Sequence, residues 1–120
     1  MITGILHASF LTADLAMSRV FYEGVLGLQP DPRRPAMSYD GVWYNVAPTQ
    51  QIHLLLLPDP EAGLPRPAYG GRDRHVALAV SDFAELIERL NRAGVPYTLS
   101  SSGRRALFCR DPDGNALELM

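Results

Sequence analysis

Twice in this chain a histidine stands in a short alternating strand, and each time an aspartate suited to capping a helix follows. The clearer case is Arg74-His75-Val76-Ala77-Leu78-Ala79-Val80, with Asp82 after it; its echo is Ile5-Leu6-His7-Ala8-Ser9-Phe10, with Asp14 after it. Successive strand residues point to opposite faces, so His75, Ala77 and Ala79 share one face and Val76, Leu78 and Val80 the other. The apolar face must be covered, and a helix that follows at once is the obvious cover. This feature restricts the chain to strand-then-helix units whose second face stays open.

The remaining elements follow the same logic. Ile2 to Phe10 reads as a strand. Thr12 or Asp14 caps a helix that runs through Met17, Val20, Phe21, Val25 and Leu26, and Gly27 stops it. Gln29 to Pro35 contains three prolines, which limits any strand there to a short edge piece. Ser38 to Ala47 and Gln51 to Leu57 are strand candidates. Pro58 to Gly71 is irregular and rich in proline and glycine, as lids and binding loops are. His75 to Val80 is a strand, and Ser81 or Asp82 caps a helix through Leu90 that ends at Gly94. Strands at Val95–Leu99, Arg104–Arg110 and Ala116–Leu119 complete the chain, the last two joined by the turn Asp111-Pro112-Asp113-Gly114-Asn115.

The order strand, helix, three strands thus occurs twice. The expected class is α+β: a single domain over residues 1–120 built from two βαβββ modules, about 1–57 and 72–120, with the loop 58–71 between them. Each module's curled mixed sheet forms a cup.

Composition limits the partners. A net charge of −2 and no long run of like charge argue against nucleic acid and acidic membranes. The longest apolar run, Leu54 to Leu57, is too short for a membrane span, and the N-terminus has no signal-peptide pattern. The single Cys109 cannot form an internal disulfide, so a cytoplasmic location and a buried core thiol are expected.

His7, His53, His75 and Glu118 all fall on the face away from their bulky apolar neighbours. A solvated sheet face explains each residue taken alone. Taken together, two imidazoles and a carboxylate form a ligand set for a first-row divalent ion with open positions. Parity alone leaves both readings open; the central expectation is that His7, His75 and Glu118 share one metal. Ser9 lies on the face of His7, where it can touch a substrate. Arg104 and Arg105 either meet an anionic substrate or form a solvated basic patch. Tyr69 and Arg72 stand at the end of the candidate lid.

The sequence resembles the vicinal oxygen chelate superfamily, the group of glyoxalases, bleomycin-resistance proteins and extradiol dioxygenases. The residues that carry the likeness are Ile5-Leu6-His7, the helix with Phe21-Tyr22-Glu23-Gly24-Val25-Leu26-Gly27-Leu28, Ile52-His53-Leu54, the strand from His75 to Val80, and Asp111-Pro112-Asp113-Gly114-Asn115-Ala116-Leu117-Glu118-Leu119. The resemblance implies a metal cup, with ligand positions at His7, His75 and Glu118 and a divalent ion such as Zn, Ni, Mn, Co or Fe. His53 stands where related lyases usually carry Glu or Gln; it is either a fourth ligand or an acid or base beside the metal. By the same analogy Trp43 and Phe108 line the cup, and the protein is a homodimer. The implied activity is metal-dependent chemistry on a small oxygen-rich or anionic molecule, a lyase or isomerase before a dioxygenase, with His53 or Glu118 moving a proton. The alternative is a metal-free protein of the bleomycin-resistance type that sequesters a small molecule.

Overall fold

The computed structural model describes residues 1–120. The chain divides into two compact units, Met1–Pro60 and Glu61–Met120. Each contains a four-stranded mixed sheet and a helical segment, the expected α+β pattern.

In the first unit the elements are β1 (His7–Thr12), α1 (Leu15–Arg19) running directly into a π-helical segment (Val20–Val25), β2 (Gln29–Pro30), β3 (Gly41–Ala47) and β4 (Gln50–Leu56). The sheet order is β1-β4-β3-β2, with β1 parallel to β4 and the other pairs antiparallel. The first strand is shifted from its expected place: residues 1–6 are exposed and lie outside it, and it runs on to Thr12. Thr12 is buried, and its hydroxyl lies 2.7 Å from that of the buried Ser18 of α1. Asp14 caps that helix, its Oδ1 accepting from the Met17 amide at 3.0 Å. The expected α-helix widens at Val20, and Leu26 donates to the Phe21 carbonyl five residues back. The wide turn accompanies burial of the adjacent rings Phe21 and Tyr22 together with Val25. Tyr22 stacks between Phe10 and Tyr44, which fixes the apolar face of the sheet.

In the second unit the strands are β5 (His75–Leu78), β6 (Tyr97–Leu99), β7 (Leu107–Arg110) and β8 (Ala116–Leu119), in the order β5-β8-β7-β6, with β5 parallel to β8. Both sheets therefore share one topology. Helix α2 (Phe83–Ala93) is capped by Asp82, whose Oδ1 accepts from the Glu85 amide. Gly94 ends it at φ 68°, a left-handed conformation that glycine takes without steric cost. Leu86 and Leu90 are buried one turn apart, each contributing roughly 1.5–3 kcal/mol of hydrophobic stabilisation. Leu107, Cys109, Leu117 and Leu119 are buried on the strands. Burial, and then the nearby Asp111 charge, push the Cys109 thiol up to about 12, so it is an inert core group.

The turn between β7 and β8 sets the register that matters for the site. Buried Asp111 accepts through Oδ1 from the amides of Asp113 and Asn115, both at 2.9 Å, and through Oδ2 from the Asn115 side chain. With the turn so fixed, Phe108 falls opposite Glu118.

Candidate metal and substrate site

Strand register puts the candidate residues at equivalent places in the two sheets. In the first, the row across the open face is Ser9, His53, Trp43; in the second it is Ala77, Glu118, Phe108. His7 and His75 each open their sheet's first strand, two residues before Ser9 and Ala77. His53 is thus the first unit's counterpart of Glu118, and Trp43 the counterpart of Phe108.

In the second unit His75 Nδ1 donates to the Asp73 carbonyl at 2.8 Å. That bond fixes the tautomer, so a neutral His75 carries its lone pair on Nε2. Nε2 faces Glu118 Oε2 at 3.3 Å. Two electron-rich atoms at that distance require a proton or a cation between them. The other oxygen of Glu118, buried at 6% exposure, accepts from Arg104 Nη2 at 2.9 Å. Phe108 packs edge-on against both His75 and Tyr69. Arg104 therefore sits on Glu118, while Arg105 stacks over Phe83.

In the first unit His53 is sandwiched. It lies parallel to His7 on one side, with centroids 4.0 Å apart, and to Trp43 on the other, 4.3 Å apart. Its Nε2 lies 2.9 Å from Gln51 Oε1. The Gln51 amide nitrogen donates to the Asp31 carboxylate at 2.8 Å, so the amide oxygen must face His53, and His53 Nε2 carries the proton. The lone pair is then on Nδ1. Burial, the neighbouring His7 and Arg34 lower His53 to about 4, so its ring is neutral at pH 7. Arg33 binds Asp31 through its side chain and amide and holds that carboxyl at about 2.

These pairings carry a pH signature. His53 takes up a proton more readily unfolded, near 6.5, than folded, near 4. Its contribution to stability is complete above about 6.5 and is lost as pH falls toward 4. In chelator-containing buffer the melting temperature of the native chain should fall more between pH 7.5 and 4.5 than that of His53→Gln. Equal falls would contradict this assignment.

His7 and His53 come together in one unit, His75 and Glu118 in the other. Within neither unit do three His, Cys, Asp or Glu side chains converge. Asp73, which no sequence pattern marks, accepts through Oδ2 from Arg66 and Arg110, both at 2.8 Å. Arg110 also donates to the Pro67 and Gly114 carbonyls, tying the 58–71 loop to the β7–β8 turn. Gln51, the partner of His53, is likewise unmarked, although the two share a face two residues apart.

A family model described as the glyoxalase/bleomycin resistance protein/dioxygenase superfamily matches residues 4–119. The chain belongs to this superfamily. Its members bind small molecules, generally use divalent metal ions and commonly form dimers. Glyoxylase I 4 of Arabidopsis thaliana is 28% identical over 126 residues, covering 98% of this chain and 70% of that protein. The trypanothione-dependent glyoxalase I of Leishmania major is 27% identical, with a TM-score of 0.72, and the match covers 99% of this chain and 86% of that one. TnmS3, an antibiotic-binding protein from Streptomyces sp. CB03234, shares the fold at 19% identity and a TM-score of 0.72, over 98% of this chain and 94% of that one. No helix is long and apolar enough to cross a membrane.

Proposed function

We propose that the protein is a divalent-metal enzyme of the glyoxalase-like group, a lyase or isomerase before a dioxygenase, acting on a small oxygen-rich or anionic substrate. The observation that carries this reading is the His75 Nε2 and Glu118 Oε2 pair, held 3.3 Å apart with the tautomer that leaves Nε2 open. His7 from the first unit completes the three-ligand set, and His53 Nδ1 is the fourth donor or the base. The set draws on both units, which suits a homodimer in which one chain's unit meets its partner's.

When bound, the ion would supply Lewis acidity to two substrate oxygens. The chain's own residues do the rest. Arg104 holds one oxygen of the Glu118 carboxylate and orients the group. The Asp73 carbonyl holds the His75 ring. Neutral His53 can accept a proton at Nδ1, as its Nε2 proton is committed to Gln51. Ser9, beside His7 on the sheet face, and Trp43 and Phe108 contact the substrate.

The test is a turnover screen of protein stripped of metal and reloaded separately with Ni, Zn, Mn, Co or Fe. The substrates are thiol adducts of 2-oxoaldehydes and, in parallel, catechols. Metal-dependent isomerisation of an adduct supports the reading. Loss of catechol with oxygen uptake moves the assignment to dioxygenase, and no turnover with any ion removes it.

A metal-free binding protein is the second reading. Two observations favour it: Arg104 already neutralises Glu118, and His7 meets His53 face to face. It predicts ligand binding that a chelator leaves unchanged.

A further inference from the structure

The first unit contains a cavity of about 540 Å³, well within the size range of small-molecule sites. Its wall includes His7, Trp43 and His53, and also Arg33 and Arg34 from the loop before β3. No aspartate or glutamate lines it.

The two arginines differ. Arg33 is bridged to Asp31 at 2.9 Å, so its charge is compensated. Arg34 makes no salt bridge. Its Nη2 donates to the Tyr39 carbonyl at 2.9 Å, and its guanidinium lies 5.7 Å from the centre of the Tyr39 ring. These contacts orient the group without neutralising it. The same Nη2 lies 3.1 Å from where a Cβ on Gly41 would stand. Gly41 precedes Trp43 by two residues on β3, roughly 6.5 Å along the strand. An uncompensated planar cation and an indole thus stand side by side at the cavity wall.

Trp43 ends the column of parallel rings, its plane tilted 6° from that of His53. No other ring stacks on it, and the indole lines the cavity, where a planar ligand can lie against it. A benzene ring bearing a carboxylate on a short arm places π-surface on the indole and two oxygens on the guanidinium fork.

We infer that this cavity selects an aromatic carboxylate, with its ring on Trp43 and its carboxylate on Arg34. The inference rests on the proposed function only in taking this cavity as the substrate side of the site.

Trp43 is the single tryptophan of the chain, so its fluorescence reports on the column directly. The experiment titrates full-length protein with phenylacetate, phenylacetamide and acetate, in chelator and again after metal loading. Phenylacetate should change Trp43 emission saturably in chelator, with at least tenfold tighter binding than the neutral amide or the aliphatic anion. Arg34→Met should abolish the preference for phenylacetate over the amide. Equal affinity for acid and amide, or no saturable response to phenylacetate, would overturn the inference. The native-protein comparison decides the matter even if the variant does not fold. Failure of metal uptake would remove the enzyme reading and leave this ligand preference standing; equal acid and amide affinities would remove the preference alone.

Discussion

His75→Ala should lower divalent-metal affinity by roughly a hundredfold or more, because an imidazole donor is lost outright where even its outer partners are worth 10–100-fold. The side chain is partly exposed, at 26%, and its main protein contacts are the Asp73 carbonyl, Glu118 and the edge of Phe108. Its removal should therefore leave the fold intact. Calorimetric titration of stripped protein with Zn or Ni measures the loss, and circular dichroism checks the fold. A variant that binds metal as the native chain does would take His75 out of the ligand set. The carbonyl that fixes the His75 tautomer belongs to Asp73, which leads to the second large effect.

Asp73→Ala should destabilise the protein by roughly 2–3 kcal/mol, less than for a fully buried pair because both arginine partners are about a quarter exposed. Asp73 is held ionised although burial opposes it, since Arg110 and Arg66 outweigh that cost. Without the carboxylate, Arg66 loses its anchor and Arg110 retains only carbonyl partners. The loop before β5 should loosen, and with it the backbone that orients His75. Urea unfolding gives the stability change. Metal titration of the same variant should show a smaller affinity loss than His75→Ala. A destabilisation below about 0.5 kcal/mol, typical of surface changes, would show that the network does not anchor the loop.

Strand parity in the sequence already placed His7, His53, His75 and Glu118 on open faces, and the register agrees. Period-two alternation survives folding when one face is buried, because a one-residue slip would expose the whole apolar set. Element boundaries were less legible. The first strand begins at His7, opposite Gln51 near the start of its partner β4, and the helix after Asp14 widens where two adjacent aromatics are both buried. The network around Asp73 joins residues as far apart as Arg66 and Arg110, a long-range pairing with no sequence periodicity to reveal it. Arg104 illustrates the same limit: its sequence position allowed a substrate or a solvent contact, and the fold pairs it with Glu118. Gln51 was within reach, since a polar residue two positions before a buried histidine shares its face.

The superfamily fold alone does not choose an activity, as it serves a glyoxalase I and an antibiotic-binding protein alike. The choice lies with the side chains, and the deciding claim is that His7 in one unit and His75 with Glu118 in the other hold a common ion. The most direct measurement is metal stoichiometry by elemental analysis, after chelation, reloading and removal of excess ion, for the native protein and His7→Ala. The account predicts one divalent ion per chain in the native protein and essentially none in the variant, although its second-unit pair is intact. No uptake by the native protein, or native stoichiometry in His7→Ala, would contradict it.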